Sequence, residues 1–451
     1  MILPTENIDP WLSTLPERWK TQRLKHVVSC NDEVLGESTS KGDEIEYVDI
    51  GSVSSTGCIE NTERLDFADA PSRARRIVRD GDILVSTVRT YLKAIAPVFA
   101  PPSNLIASTG FAVIRSGANV FPRFMAYCLR TEGFVGEVIS RSVGISYPAI
   151  NATDLINIEV PVPERDEQKQ IAAFLDYETA KIDALIEKQQ QLIALLGKKR
   201  QAVISHAVTK GLNPDAPMRD SGIEWLGEVP EHWTPHAMKH LCEVRDGTHD
   251  TPRYVDPSDD AVPLVTSKDF AGDQIDFTNA KWISRAAHEE IIKRSFTEPN
   301  DVLMSMIGGN IGKALIVSED SDFSTKNVAI FKTKNDLVLS KYILFYLQSG
   351  LLDIQISLLS RGGAQGFLGL GDIRNLVVPG NAPNELTGIV EHLERKVPKF
   401  DELIARAYGQ TELLQERRTA LISAAVTGKI DVRGWKPPSS PATPETEMEV
   451  A

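Results

Sequence analysis

From Gln168 to about Thr209 the chain has no proline and a single glycine, Gly197, and its apolar residues recur every seven positions. Leu175, Ile182, Gln189, Leu196 and Val203 share one register, with Leu185 and Leu192 beside them. Such a heptad pattern marks a helix packed along another helix. It returns at an offset of 393 − 175 = 218 in Leu393, Phe400, Ala407, Leu414 and Leu421, with Leu403 beside them. Two seams in the same phase predict two long helices packed as a coiled coil. At the usual rise, about 42 residues form a rod of about 60 Å. Pro398 interrupts the second copy early, so a kink is expected there.

The sequence ahead of each helix changes period. Short β-branched runs such as "EIEYVDIGSV", "GDILVSTV", "GFAVIRS", "NVAIFKTK" and "NIEVPVP" are broken by Gly, Pro, Asn and Asp. They predict strands of a mixed α/β domain over roughly 17–163 and again over 231–380. One helix per copy is expected, at "FPRFMAYCLRT" and at "SKYILFYLQS".

The two halves also share phrases. Trp11, Leu12, Pro16, Glu17 and Trp19 recur as Trp225, Leu226, Pro230, Glu231 and Trp233. "GDILVS" answers to "NDVLMS", Lys93-Ala94 to Lys313-Ala314, and Ser140-Arg141 to Ser360-Arg361. The helix ends match best, "KKRQAVISHAVTKG" against "QERRTALISAAVTGK". A period this long is a duplicated module and not a solenoid, whose units span about 20–50 residues. The expected fold class is α+β with an internal repeat. "TKGLNPDAPMRDSG" reads as a linker and "KPPSSPATPETEMEVA" as a disordered tail.

Composition narrows the class. The chain has 451 residues, of which 42% are hydrophobic and 25% charged, as in a globular protein of two or three domains. No apolar run approaches the roughly 20 residues that span a bilayer. "MILPTENIDPW" lacks the basic-then-apolar order of a secretory signal. Cys30, Cys58, Cys128 and Cys242 are far apart, which argues against both a zinc site and a disulfide framework. A reduced, cytoplasmic protein is expected. The net charge of −13 opposes indiscriminate nucleic-acid binding but allows a local basic surface.

Motifs for catalysis fail on inspection. "GFLGLGD" contains the F-x-G-x-G pattern of S-adenosylmethionine pockets, but it follows a polar stretch where a buried strand is needed. The chain has no N-P-P-Y or D-P-P-Y tetrad. "GGNIGKA" has one residue too few between its glycines for a phosphate loop, and Ala follows its lysine. His232, His236 and His240 have the spacing of a metal site on one helix face, but the first copy keeps only His26. No cofactor or metal is expected in this chain.

What remains is basic and polar. Residues 72–93 carry Arg73, Arg75, Arg76, Arg79, Arg89 and Lys93 against Asp80 and Asp82, with Tyr91 among them. "RDGTHDTPRY" supplies His249, Thr251, Arg253 and Tyr254, and the glycine-rich "SRGGAQGF" supplies Arg361 and Gln365. Arg141, Ser146 and Tyr147 in the first half, and Lys268, Asn310 and Lys313 in the second, complete the candidates. Arg and Lys suit guanine and phosphate, and Gln and Asn suit adenine, so these clusters favour DNA over a merely solvated face.

"VPVPERDEQKQIAAFLDYETAKIDALIEKQQQLI" with "KKRQAVISHAVTKGL" resembles the conserved helical region of type I restriction–modification specificity subunits. "LPERW", "VPEHW" and "DGTHDTPRY" resemble segments of that family's target recognition domains. The resemblance implies a first recognition domain over 1–163, a helical spacer over 164–211 and a linker over 212–230. A second recognition domain over 231–380, a second spacer over 381–435 and a tail over 436–451 follow. It implies two mixed α/β recognition domains joined by antiparallel coiled-coil helices, with an internal pseudo-twofold repeat.

The implied function is reading a bipartite, asymmetric site on double-stranded DNA. Two methyltransferase subunits would bring S-adenosylmethionine, and restriction subunits would bring ATP, magnesium and translocation. Glu167-Gln168-Lys169-Gln170 of the first copy becomes Glu385-Leu386-Thr387-Gly388 in the second, which predicts unequal partner contacts. The rival readings are a protein-only coiled-coil adaptor and a self-contained methyltransferase or nuclease.

Overall fold

The computed structural model describes residues 11–437 except 37, 55, 319–321, 360–365 and 381–382. The tail expected to be disordered, from 438 onward, lies outside the described residues. The chain forms two compact units, 1–189 with 409–451, and 190–408.

In the first unit an antiparallel sheet runs in the order Val28–Cys30, Phe111–Ser116, Ile83–Ser86, Ile95–Pro97. A second sheet, in the order Glu63–Asp66, Glu44–Val48, Leu105–Ser108, Ala74–Ile77, contains one parallel pair, Glu44–Val48 with Leu105–Ser108. Strand Ile83–Ser86 is buried on both faces, as its unbroken apolar run requires. Ile83 and Val85 enter one core with Phe124 and Leu129, and Leu84 enters another with Val98 and Leu105.

The second unit repeats this plan. Its antiparallel sheet is ordered Glu243–Asp246, Val328–Lys332, Val302–Ser305, Ala314–Ile316. Its mixed sheet, Tyr254–Val255, Lys281–Ser284, Ala261–Val265, Ser324–Thr325, again has one parallel pair, Ala261–Val265 with Ser324–Thr325.

At each position where the sequence predicts one helix the structure has two, and Arg285–Ser295 is a further helix of the second unit. Pro122–Leu129 is followed by Glu132–Ser140, and Leu337–Gln348 by Leu351–Leu359. The second of each pair carries a weak sequence signal, because Gly133 and Gly136 lower helix propensity in one copy and a turn at Ser349-Gly350 separates the other. Thr131 caps Glu132–Ser140 by accepting from the Phe134 amide at 3.3 Å. Residues 212–230 also hold more structure than a linker. Met218–Asp220 pairs with Glu228–Pro230, and Val229 is fully buried.

The long helices are Arg165–Lys210 and Pro383–Val426. The second runs through Pro398 as one element. Each unit holds the first half of one and the second half of the other. Ile171, Ala172 and Leu175 share a core with Ile422, Ala425 and Val426 in the first unit. Their counterparts 218 positions away, Ile389, Val390 and Leu393, share a core with Ile204, Ala207 and Val208 in the second. In the first unit Asp183 also meets Arg418 at 2.8 Å. The partner's numbers fall as the first helix's numbers rise, so the helices are antiparallel within the unit.

The seam differs from the one expected. Leu175, Ile182 and Leu393 are buried, and Leu196, Val203, Phe400, Leu414 and Leu421 are partly buried. Leu185, Leu192 and Leu403, expected beside them, are 48%, 41% and 47% exposed. The second seam position falls four residues after the first, and those three lie three residues after it. Thr179, Ile186, Ile193, Arg200 and Ala207 occupy the true positions, as do Val397, Ile404, Thr411, Arg418 and Ala425 in the other helix. A difference of one residue turns a side chain about 100° around a helix, which takes it off the buried face.

The repeated "GDILVS" and "NDVLMS" place one carboxylate inside each unit. Arg115 donates Nε and Nη2 to the two oxygens of fully buried Asp82, each at 2.8 Å. Lys332 donates to fully buried Asp301 at 2.6 Å. Burial pushes the Asp301 carboxyl above its ordinary range. These acids are structural.

Candidate nucleic-acid interface

In the first unit, strand Ile83–Ser86 leads into a short turn of helix, Thr90–Leu92, flanked by Arg89 and Lys93 at φ 50° and 54°. Left-handed non-glycine residues cost on the order of 1 kcal/mol or more and persist where their surroundings fix them. Here the turn is fastened to the segment 141–150. Thr90 Oγ1 and Ser142 Oγ share a hydrogen bond of 2.8 Å, Val88 bridges to Ala149, and the Ile150 amide donates to the Thr87 carbonyl at 2.9 Å. The Arg89 guanidinium lies over the Tyr147 ring, 4.8 Å from its centroid. Tyr91 and Ser146 are exposed nearby in sequence.

Arg73 belongs to the same end. Its carbonyl accepts from Thr109, and the Gly110 carbonyl accepts from Thr87. The other cations are committed elsewhere. Arg75 lies over the Phe67 ring at 4.9 Å, and Arg76 is half-buried with its Nε lacking an acceptor. Lys93 pairs with Glu132 at 2.8 Å, Arg141 with Glu137 at 2.9 Å, and Arg79 with Glu33 at 2.7 Å.

In the second unit, His249 meets Asn327 through Nδ1 at 3.0 Å and Asp246 through Nε2 at 2.9 Å. Both acceptors favour a ring protonated at both nitrogens. The Asn327 and Asp246 hydrogen bonds therefore hold the His249 pKa above its ordinary value. The Phe367 ring packs edge-on against His249 at 6.0 Å. Lys326 donates to Thr251, and a cleft of about 490 Å³ opens between this loop and Arg294. Arg253 and Tyr254 line a separate open cleft with Lys281 and Trp282. Exposed Lys268 is held by the Thr266–Asp269 capping box, Asn310 is exposed, and Lys313 donates to the Phe270 carbonyl. Arg361 and Gln365 lie outside the described residues.

Lys326, Asn327, Phe367 and Arg294 were not among the expected site residues. The signal for the first two was present, since "STKN" answers to "STG" ahead of a repeated strand. Asn327 stands at φ 54°, a conformation Asn tolerates better than most residues.

The tempting motifs resolve into local structure. Gly369 of "GFLGLGD" caps the short helix Leu370–Arg374, with its amide donating to Asp372 Oδ2 at 3.1 Å. "GGNIGKA" is the turn between Val302–Ser305 and Ala314–Ile316, equivalent to Thr90–Leu92. His232, His236 and His240 do not share a helix, since His236 lies in a strand and His240 in the helix Met238–Leu241. No cluster of metal-ligating side chains occurs among the described residues. All four cysteines are free. No single helix among the described residues is long and apolar enough to cross a membrane.

Residues 16–194 match the family described as the type I restriction modification DNA specificity domain. The specificity subunit of the EcoBI type I restriction enzyme of Escherichia coli is 22% identical over 70% of this chain and 66% of its own length. The putative MjaX specificity subunit of Methanocaldococcus jannaschii is 22% identical over 94% of this chain and 96% of its own. A solved chain from work on assembly and conformational transition of a type I system shares the fold. It has a TM-score of 0.64 and 23% identity, over 92% of this chain and 99% of that one. By these matches the first half of the chain is similar to the type I restriction modification DNA specificity domain, and most of its length to type I restriction enzyme specificity subunits.

Proposed function

We propose that the chain is the non-catalytic DNA-reading subunit of a cytoplasmic type I restriction–modification assembly. Each unit reads one half of a split, asymmetric site on double-stranded DNA. One observation carries this reading: the two units present the same framework with different side chains on it. The bridge Val88 to Ala149 in the first corresponds to Ile307 to Phe367 in the second. Around it stand Arg89 and Tyr147 in one unit, and His249, Lys326 and Phe367 in the other. A duplicated frame with diverged contacts suits an asymmetric target, whereas two identical units suit a palindrome.

Methyl transfer to adenine and DNA cleavage belong to the partners. Two modification subunits bring S-adenosylmethionine and flip the base. Restriction subunits bring ATP and magnesium. Exposed apolar residues on the long helices support docking of partners there. Leu185 and Leu413 lie in the first unit, and Leu192, Leu195, Leu403 and Tyr408 in the second.

Methylation mapping tests the reading. The chain is expressed with its modification subunits in a methylation-free host, and modified adenines are located by sequencing. One split, asymmetric motif is the expected result. An assembled complex that modifies nothing would favour the protein-only adaptor, and modification by this chain alone would make it an enzyme.

A further inference from the structure

The segment Arg141–Ala149 of the first unit is a closed hairpin with an apolar tip in solvent. The Val143 amide donates to the Ala149 carbonyl at 2.9 Å, and the Ala149 amide returns the bond at 3.0 Å. Gly144 makes the bend at φ 115°, where an added Cβ would sit 3.1 Å from the Tyr147 carbonyl oxygen. Ala149 is also bridged to Val88, and Ser142 is bonded to Thr90, so the hairpin is anchored to the neighbouring turn. Beyond that anchor Val143 is 80% exposed, Tyr147 65%, and Ile145 fully exposed at 102%.

An anchored hairpin that holds a branched apolar side chain in water gains nothing from it in the free chain, and covering that side chain with a partner is favourable. Its surroundings specify the cover. Residues 86–93 and 141–150 contain Arg89, Lys93 and Arg141 and no acidic residue. Two neighbouring acids, Glu132 and Glu137, are paired with Lys93 and Arg141, while Arg89 is stacked on Tyr147 beside the tip. With those two pairs neutral, Arg89 leaves the surroundings of the tip net positive, and an apolar point beside an unneutralised cation fits a polyanion with an apolar interior, which is duplex DNA. Apolar side chains of this kind enter between base pairs and part the stack.

We propose that Ile145 is such a wedge, opening one base step of the half-site read by the first unit. The proposal rests on the DNA-reading function above and adds a positioning residue to it. Parting the stack makes recognition depend on how easily that step deforms, so this half-site gains specificity at a position no side chain hydrogen-bonds.

The test uses the complex of this chain with its modification subunits, without S-adenosylmethionine. Duplexes carry 2-aminopurine at successive positions of the first half-site. With the unsubstituted chain one position besides the target adenine brightens; Ile145→Ala abolishes this and Ile145→Met retains it. Ile145→Ala weakens binding to intact duplex about tenfold or more, and a mismatch at the brightened step restores most of the loss. A flipped target adenine also brightens, but independently of residue 145. If Ile145→Ala unstacks and binds DNA as the unsubstituted chain does, the wedge is refuted and DNA reading stands. If it impairs subunit assembly and not DNA affinity, the tip is a protein contact and the wedge is likewise refuted. An unsubstituted complex with no sequence-specific binding removes both readings.

Discussion

Trp19 donates its indole N–H to Glu167 Oε2 at 3.1 Å, and Trp233 does the same to Glu385 Oε2 at 2.6 Å. Each tryptophan belongs to the repeated phrase, and each glutamate to the first turn of a long helix. The same rings face the glycine just past the end of the other helix. Added Cβ atoms at Gly428 and Gly211 would lie 3.2 Å from Trp19 Cη2 and 3.3 Å from Trp233 Cζ2. The phrase recurs because each unit needs one residue to join the start of one helix to the end of the other. The departure at 385–388 therefore keeps the glutamate that matters inside the unit.

Trp233 is 1% exposed, so its hydrogen bond to a carboxylate is worth about 1.5–3 kcal/mol. Trp233→Phe is expected to destabilise the second unit by that amount, and Trp233→Ala by about 3–5 kcal/mol. Denaturant unfolding followed by amide exchange in the second unit measures both. Equal stability of Trp233→Phe and the unsubstituted chain would make the bond incidental.

The seam register makes a paired prediction. Ile182→Ala costs about 2–5 kcal/mol because Ile182 is 5% exposed. Leu185→Gln, three residues on, changes the stability of this chain by about 0.5 kcal/mol or less. Thermal melts of the two variants decide it, and comparable losses would return Leu185 to the seam.

Asp301→Ala leaves Lys332, 5% exposed, with Glu298 as its remaining acid. Breaking a buried pair from one side costs about 3–5 kcal/mol. A urea titration giving less than about 1 kcal/mol would show that Glu298 compensates fully.

The two units should fail independently. Arg89→Ala weakens recognition of one half-site and Lys326→Ala that of the other, by about 1–3 kcal/mol for a base contact. A phosphate contact instead weakens all sequences and lowers the salt slope by about 1. Binding to DNA with each half-site scrambled in turn separates these cases.

His249 gives a pH dependence. Its folded pKa lies above the ordinary 6.5, raised by hydrogen bonds to Asn327 and Asp246. The stabilisation of its loop is therefore fully present below 6.5 and lost as the pH rises through the raised value. Affinity for the half-site read by the second unit is expected to fall over that window, and His249→Gln to flatten the profile. A profile unchanged by the substitution would remove His249 from the interface.

The duplication, the strand-rich halves and the long helices were legible in the sequence because each is written as a period or a repeated phrase. Leu175 and Leu393 were found for this reason, since burial every seven residues needs nothing beyond the chain itself. The register of the second seam position was not legible. Leu185 and Ile186 are equally apolar, and only the partner helix decides which one it covers. The candidate site divides in the same way. Arg89, His249 and Arg253 stood out as polar residues near turns. Tertiary contacts alone decided that Arg89 lies on Tyr147, that Lys93 is spent on Glu132, and that Asn327 reaches His249 from 78 positions away. Sequence encodes what a residue prefers over a few neighbours, and the assignment of a cation to an acid, a ring or a phosphate depends on what the folded chain brings beside it.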